Sequence, residues 1–444
     1  MQQGQGLLTP PRPAAVASPT TQWIVAALLF GLMLVDGVRE GGFWHADALV
    51  AAVGSIVLLL AAVVLNPLDR RSGSVVAALI LLAVWWGIRA ATAESVGDVL
   101  PFGASCLAFA TAFAAVRPLR GPAREVAGLG VAWLGAAGSL VGFAGLIWRW
   151  FPMAMPAQGL WRLSTTLTYS DAAGLALGMC LLVALGLDRP EWLARIAVCL
   201  CAGGLLATQS RGGYVAFALA CAIVPWRRYL QFLIPLLAGV GLGVVAIASS
   251  PDTGRVPWLG VALVVAVGLA AVPTTRLRAL ILSPRVGALV GLLVVAAVVV
   301  STLLLHHEIG LRALAPSDQD RSVEWSTALH QWASAPVFGV GPDRLLVFHA
   351  TDGTYAHFVH NEYLQIAADT GVIGLLLLLA AGTAIFRATR RFDVLSSCAC
   401  AALVCCAVGG AFDYDWHLTF VGFLGGWCAG LAVRAEMAKT REHT

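Results

Sequence analysis

The chain has 444 residues, of which 59% are hydrophobic and 12% are charged, and its mean hydropathy is +0.83. This composition is typical of membrane proteins and excludes an ordinary soluble globular domain. The formal net charge of only +4 gives no indication of nucleic-acid binding, so we expect a lipid bilayer and no nucleic acid as partner.

The chain begins with a polar, proline-rich segment that includes Pro10, Pro11 and Pro13. We predict that residues 1–20 form a disordered cytoplasmic tail. The first apolar run is followed by Asp36 and Arg39 rather than by a small-residue cleavage site. It therefore indicates a first membrane span rather than a cleaved signal peptide.

Further apolar runs long enough to cross a bilayer follow along the chain. The candidate spans are residues 21–38, 47–66, 74–92, 101–116, 126–147, 171–188, 194–209, 213–226, 229–248, 257–273, 286–305, 370–386, 394–411 and 418–434. We predict an all-α, polytopic integral membrane protein with about 12–14 transmembrane helices. Helices 1–11 fall in residues 21–304 and helices 12–14 in residues 370–434. Between them, residues 305–369 form one long extracytoplasmic loop that contains short helices.

The arginine clusters test this count, because positive charge collects on the cytoplasmic side of a membrane. With the N-terminus inside, every cluster falls in a cytoplasmic loop. The clusters are Arg70-Arg71, Arg117/Arg120/Arg124, Arg189/Arg195, Arg227-Arg228, Arg276/Arg278/Arg285 and Arg387/Arg390/Arg391. The alternation predicts that both termini, including the tail at 435–444, are cytoplasmic.

The ten cysteines all lie in apolar runs, and none lies in the long loop. They are typical of small buried hydrophobic residues, and we predict neither a disulfide framework nor a cysteine metal site.

The long loop holds six of the nine histidines: His306, His307, His330, His349, His357 and His360. An imidazole can exchange a proton near neutral pH, so this loop is the predicted catalytic segment. A first helix is expected after Asp318, with Val323, Ala328, Leu329 and Trp332 as its apolar stripe. A second helix is expected to start near His360 and to continue into the span at 370–386.

Arg211 stands in a very short connection between two spans, on the predicted outer side. An arginine suits bidentate binding of phosphate, and Gly212 and Gly213 would let a ligand approach the backbone. Equally, Arg211 could simply reach the lipid headgroups.

His360 is the candidate general base, with His357 and Glu362 close to it in sequence. The ordinary alternative is a histidine that only hydrogen-bonds a neighbour at a helix start. Zinc is a competing hypothesis, but the sequence has no His-Glu-x-x-His motif and no loop cysteine to support it. Arg321 is either a second anion contact or a surface ion pair.

Asp413, Asp415 and His417 lie in a short outer turn between the last two spans. These acids could hold a sugar or an arginine, or could simply keep the turn hydrated.

Four segments stand in the order of the motifs of a known family. They are Leu167-Thr168-Tyr169-Ser170-Asp171-Ala172-Ala173-Gly174; Thr208-Gln209-Ser210-Arg211-Gly212; Arg321 with Trp325 and Pro336-x-x-Gly339-x-Gly341; and His360-Asn361-Glu362-Tyr363-Leu364-Gln365 with Gly371-x-x-Gly374. On these residues, the chain resembles the O-antigen ligase and O-antigen polymerase superfamily from about residue 160 to residue 430. Asp171 departs from the family, where Asn is usual.

The resemblance implies a C-type glycosyltransferase of the bacterial cytoplasmic membrane, with an extracytoplasmic active site, no metal and no cofactor. Its donor would be a glycan on polyprenyl diphosphate, and its acceptor a hydroxyl of a glycan, lipid or protein. Arg211, assisted by Arg321, would hold the diphosphate, and His360 would be the general base. The other substrate-binding candidates are His357, Asn361, Glu362 and Tyr363, followed by Asp171, Asp413, Asp415 and His417. The last three resemble actinobacterial members, which favours a cell-wall or capsular acceptor over lipopolysaccharide.

Three alternatives remain open from the sequence. One is a polysaccharide polymerase of the same superfamily. Another is a solute carrier of the bicarbonate type, although the chain shows no repeated halves and few ionisable residues at mid-span, and such carriers should show repeated halves and polar spans. The third is a non-catalytic scaffold for glycan assembly, which would not need both Arg211 and His360.

Overall fold

The predicted apolar runs form helices. The structure is a computed structural model that describes residues 18–93, 99–157, 159–272, 319–348 and 355–433. Up to residue 272 the helices are α1 (Pro19–Val38), α2 (His45–Leu65), α3 (Arg70–Thr92), α4 (Val99–Val116), α5 (Gly121–Trp148), α6 (Ser170–Leu185), α7 (Glu191–Ala207), α8 (Arg211–Cys221), α9 (Trp226–Gln231), α10 (Leu233–Ala248) and α11 (Pro257–Ala271). The later helices are α12 (Gln319–Ser334), α13 (Glu362–Ala388), α14 (Val394–Gly409) and α15 (Thr419–Leu431).

The remaining regular structure is short. Two antiparallel hairpins pair β1 (Ala154–Ala157) with β2 (Leu160–Leu163) and β3 (Val347–Phe348) with β4 (Tyr355–Ala356). Among the described residues, 3-10 turns occupy Glu40–Gly42, Thr165–Leu167 and Asp415–His417. Both hairpins lie in the connections between helices, not within the bundle.

The prediction of an all-α, polytopic membrane protein is confirmed. Among the described residues, α1, α2, α3, α5 and α13 are long and apolar enough to span a membrane. The shorter apolar helices α4, α6, α10, α11, α14 and α15 accompany them. The run at 229–248 is divided into α9 and α10 at Phe232, and the candidate span at 286–305 lies outside the described residues.

Helix α6 lies at the centre of the bundle, with α5, α7, α8 and α14 packed around it. Nearly all of its residues are buried, and many of them are Ala, Gly or Cys. Small side chains let helix backbones approach closely, which is how apolar helices associate without a hydrophobic driving force in lipid.

The connections between helices divide into two groups at opposite ends of the bundle. The arginine face comprises residues 66–69, 117–120, 186–190, 222–225 and 389–393. Here Arg117 donates to the Asn66 carbonyl at 2.6 Å, and Arg124 pairs with Asp393 at 2.7 Å. The site face comprises residues 39–44, 149–157, 159–169, 208–210, 336–348, 355–361 and 410–418, and it collects the candidate site residues.

Helix α12 is fixed to α13 through a break in α13 at Gly371. Gly371 has φ +67°, and a Cβ there would lie 2.3 Å from the Val337 carbonyl oxygen. The freed backbone bonds the chain after α12: Val340 N–H donates to the Ala368 carbonyl at 2.8 Å and Val372 N–H to that of Pro336 at 2.9 Å. This backbone pairing sets the position of α12 above the bundle.

The expected apolar stripe of α12 is wrong in part, because only Ala328 of its four residues is fully buried. Val323 and Leu329 are each 47% exposed, whereas Glu324 and Ala328 are fully buried. The buried face of α12 therefore combines a carboxylate that bonds the site with an alanine that packs in a small apolar cluster with Leu345 and Val359.

Candidate functional site

The loop at residues 410–418, between α14 and α15, lies at the centre of the site face. Three separate parts of the chain bond to it. Arg321 of α12 donates to the Phe412 carbonyl at 3.0 Å, Asn361 to the Ala411 carbonyl at 3.0 Å, and the Tyr169 hydroxyl to Asp413 at 2.9 Å. The loop therefore joins α12, the start of α13 and the start of α6 into one site.

His360 lies immediately before α13, as the sequence predicts. Asn361 is the N-cap of this helix, and its side-chain oxygen accepts the Leu364 N–H at 3.0 Å. An N-cap residue has non-helical backbone angles, so the chain turns away from the helix axis at Asn361 and at His360 before it. The imidazole is thereby carried at the helix start, and 20% of the side chain remains exposed.

Glu324 of α12 holds His360 from the other side. The fully buried carboxylate accepts the His360 backbone N–H at 3.0 Å and lies 2.8 Å from Nδ1. A carboxylate can only accept hydrogen bonds, so Nδ1 carries the proton in this pair. The lone pair of the neutral ring is then on Nε2, which is the arrangement that a general base needs.

The electrostatics of the site act on this imidazole. Burial lowers the pKa of His360, but the hydrogen bond to Glu324 and the charge of Asp413 outweigh that effect. The net result is a pKa above the usual value of 6.5. His360 is therefore a stronger base than a solvated histidine.

Two buried acids of the 410–418 loop have a raised pKa. Burial raises the pKa of Asp413 to about 6, even though His360 and Arg321 favour its ionised form. Burial together with the charge of Asp413 raises the pKa of Asp415 further. Arg321 lies 3.6 Å from Asp413, so this acid sits between a cation and the candidate base.

Aromatic rings line the space beside His360. Tyr414 stacks on Phe358 at 5.0 Å and on Tyr169 at 5.5 Å between ring centroids. The His360 ring meets the Tyr414 ring edge-on at 5.4 Å. This wall orients the imidazole without taking its Nε2.

Arg211 is the first residue of α8 and is exposed on the site face. Ser210 caps the helix by accepting the Gly213 N–H at 3.1 Å. Gly212 allows a close approach, since a Cβ there would lie 2.7 Å from the Phe412 Cβ. Because Arg321 bonds the carbonyl of the same Phe412, the structure brings both candidate arginines to one loop.

Asp171 lies in the first turn of α6, paired with Arg162 of β2 at 3.0 Å. Arg162 also donates to the Thr208 carbonyl at 2.9 Å, two residues before the Ser210 cap. Asp171 thereby ties the hairpin to the turn that carries Arg211.

Glu362 and His417 form a second carboxylate–imidazole pair, beneath the first. Glu362 is fully buried, lies 3.2 Å from His417 Nδ1 and accepts the Trp416 N–H at 2.5 Å. The His417 ring packs against Phe358 at 4.9 Å. This pair lies inside the protein rather than at the open site.

Tyr363 and His357 point away from Glu324. The Tyr363 hydroxyl donates to the Ala407 carbonyl at 2.6 Å on α14. His357 is 58% exposed at its side chain, with Nδ1 3.6 Å from Asp343. His306, His307 and His349 lie outside the described residues, and within the described ranges no group of three or more His, Cys, Asp or Glu side chains is arranged to hold a metal.

Several residues of the site were missed by the sequence reasoning, namely Glu324, Tyr169, Tyr414, Phe358 and Arg162. A signal for Glu324 existed, because it lies three residues after Arg321 and so on the same face of the predicted helix. No comparable signal marks Arg162, whose position depends on the hairpin.

Comparison with known proteins adds one finding. The family model described as O-antigen ligase matches residues 252–379. The matched segment contains α12, His360 and the first part of α13, whereas Arg211 and the 410–418 loop lie outside it. A search of curated proteins found no significant match.

Proposed function

We propose that this chain, a member of the O-antigen ligase superfamily, transfers a glycan from a polyprenyl-diphosphate carrier onto a hydroxyl acceptor at the outer face of the cytoplasmic membrane. The observation that carries the proposal is the Glu324–His360 pair, at 2.8 Å, beside a loop that Arg321 bonds directly and that Gly212, next to Arg211, approaches closely. The positive-inside rule supports placing the site face outside and the arginine face inside.

In the proposed reaction, His360 Nε2 accepts the proton of the acceptor hydroxyl. The hydroxyl oxygen forms a bond to the anomeric carbon, and the bond from that carbon to the diphosphate oxygen breaks. Its electron pair stays on the diphosphate, and attack opposite the leaving group inverts the anomeric centre. Glu324 holds Nδ1–H and stabilises the imidazolium that forms, as the acid of a carboxylate–histidine pair does.

Arg211 and Arg321 would bind the diphosphate and stabilise the charge that develops on it as it leaves. The ion pair between Arg321 and Asp413 is long, at 3.6 Å, and Asp413 already shares its charge with Tyr169. Arg321 can therefore turn towards a phosphate without leaving a buried carboxylate unbonded.

The remaining candidates divide by position. Asp413 and the rings of Tyr414 and Phe358 border the space next to His360, where a sugar would lie. Asn361 shapes the site by capping α13, and Glu362 does so through His417 from below. Asp415, Asp171 and Tyr363 hold the surrounding segments.

The test is transfer of glycan from a polyprenyl-diphosphate donor by the purified full-length protein in detergent, with EDTA present. The host's own lipid-linked material serves as donor and as candidate acceptor. We expect His360→Ala to lose about 10²–10⁴-fold in rate and Arg211→Ala to weaken the use of donor. The product's chain length separates a ligase, which transfers once, from a polymerase.

Matched controls come from the same chain. His330→Ala removes an exposed histidine of α12 that bonds only the Ser326 carbonyl among the described contacts, and Arg227→Ala removes an exposed arginine of the arginine face. Both should transfer like the parent. Undiminished transfer by His360→Ala would overturn the general-base role. Solute flux through the parent in liposomes, without transfer, would favour the carrier hypothesis instead.

A further inference from the structure

A large apolar cavity lies between α13 and α14, away from the site residues. Its volume is about 710 Å³, and its lining comes from α3, α4, α13, α14 and α15. Representative lining residues are Leu82, Phe109, Leu378, Ile385 and Leu403. A space of this size and polarity inside a bilayer would be filled by hydrocarbon rather than by water.

The cavity exists because two successive helices pack on different partners. α13 packs on α3, and α14 packs on α6 and α8, so the two helices diverge along their length. Gly382 of α13 faces this gap, and a Cβ at that position would meet no atom within 4 Å. The gap is therefore open to the lipid from the side.

Two aromatic side chains, Tyr363 and Trp416, form a roof that closes the end of the cavity nearest the site face. Tyr363 bridges the two helices by donating to the Ala407 carbonyl at 2.6 Å, and its ring meets the Trp416 ring at 5.3 Å. Trp416 is itself fixed by its bond to the Cys406 carbonyl at 3.2 Å. A chain entering from the site face would have to break this roof.

The opposite end reaches the arginine face. It is lined there by Thr389, Arg390 and Arg391, and both arginines are exposed. Along α13 the lining runs from Leu378 to Thr389. At the rise of an α-helix this is about 17 Å, roughly half of a hydrocarbon core that is about 30 Å thick. The part of the cavity along α13 thus has the depth of one leaflet, with cations at the headgroup level of that leaflet, and the lining continues on α4 and α14 to Phe102 and Ala407 below the roof.

We propose that this cavity binds an anionic phospholipid of the leaflet on the arginine face. Its acyl chain lies between α13 and α14, and its phosphate meets Arg390 and Arg391. Apolar lining supplies the affinity for the chain, and the two guanidinium groups supply the preference for negative charge. The site is separate from the proposed transfer reaction and does not depend on it.

The experiment is native mass spectrometry of the full-length protein released from nanodiscs of equal parts phosphatidylglycerol and phosphatidylcholine. We expect the parent to retain phosphatidylglycerol preferentially. The double variant Arg390→Ala/Arg391→Ala should lose that preference by about thirtyfold, because each basic residue near an anionic lipid is worth about 1 kcal/mol. Gly382→Phe, which places a ring inside the cavity between α13 and α14, should weaken the retention of the lipid.

Two variants at matched positions serve as controls for these substitutions. Arg70→Ala/Arg71→Ala removes another exposed arginine pair of the arginine face, and Gly241→Phe adds a ring at a second exposed helix position with nothing within 4 Å. Both should behave like the parent. Undiminished retention of the lipid by Gly382→Phe, or an unchanged preference in the Arg390/Arg391 double variant, would overturn the proposal. If Gly382→Phe instead lost only a polyprenyl phosphate added to the nanodisc, the cavity would belong to that lipid and the proposal would be wrong.

Discussion

Two glutamate–histidine pairs lie within one small region of the molecule and differ in one respect. Glu324 and Glu362 are both fully buried, and their nearest oxygens lie 2.8 Å and 3.2 Å from Nδ1 of His360 and His417. The His360 side chain keeps 20% of its surface exposed, whereas His417 keeps 1%. One glutamate–histidine pair therefore lies at the open site, and the other is enclosed inside the protein.

The difference separates a proton-exchanging group from a structural one. Trp86, Phe102 and Phe358 enclose the His417 ring within 6 Å between centroids, and its Nε2 is buried without a hydrogen bond among the described residues. Nothing outside can exchange a proton with it. His360 has the opposite arrangement, because Glu324 takes Nδ1 and 20% of the side chain remains exposed.

The largest expected effect is on the exposed pair. His360→Ala should slow glycan transfer by about 10²–10⁴-fold, because it removes the general base. The unfolding temperature in detergent should fall only moderately, because the buried Glu324 carboxylate loses the imidazole but keeps the His360 backbone N–H. In contrast, His417→Ala should lower the unfolding temperature clearly, because it opens space among three aromatic rings. The reverse pattern, with His417→Ala stable and His360→Ala unfolded, would exchange the two assignments.

Glu324→Gln should have the next largest effect on transfer. A hydrogen bond to a charged group is worth about 1.5–3 kcal/mol, so the rate should fall about 10- to 100-fold. The pH dependence of the transfer rate, or pH profile, shows whether Glu324 sets the pKa of His360. A base works only when deprotonated, so the parent should lose activity as the pH falls through the raised pKa of His360. Without the carboxylate that raises it, burial dominates and the acidic limb should move to lower pH.

The control for that shift is a variant that only disturbs the site structurally. Asp343→Asn changes another acid of the site face, which lies 3.6 Å from His357. Its acidic limb should coincide with that of the parent. If Glu324→Gln lowered the rate and left the limb in place, Glu324 would support α12 without tuning His360.

Glu362→Gln should act on stability rather than on the profile. The loss should be about 1.5–3 kcal/mol in the free energy of unfolding, as for other hydrogen bonds to charged groups. Burial lowers the pKa of His417, but the charge of Glu362 outweighs it and raises the pKa above 6.5. The pair's contribution is therefore complete below pH 6.5 and is lost as the pH rises through the raised pKa. The unfolding temperature of the parent should fall over that range, and more weakly so in Glu362→Gln.

The sequence predicted those parts of the structure that depend on the local sequence rather than on contacts between distant segments. Long apolar runs predicted helices because lipid forces the backbone to satisfy its hydrogen bonds internally. His360 was placed at a helix start because the polar segment ends there. Glu324 was missed because an apolar stripe was assumed to mark the buried face of α12. Ala328 of that stripe is buried as assumed, but Glu324 is buried beside it because it bonds His360, which lies 36 residues further along the chain.

The smallest expected effect concerns His357, which the sequence placed with the substrate-binding residues. Its side chain is 58% exposed, and the 3.6 Å contact with Asp343 is a surface ion pair only while the imidazole is protonated. Such pairs are worth about 0–1 kcal/mol, so His357→Ala should transfer glycan within about fivefold of the parent rate. The measurement is the rate at limiting acceptor, where any contact with the acceptor would appear as a raised KM. A raised KM with an unchanged kcat would show that the acceptor site extends beyond the aromatic wall to Asp343. His357 would then differ from both His360 and His417, because it would bind the acceptor without exchanging a proton.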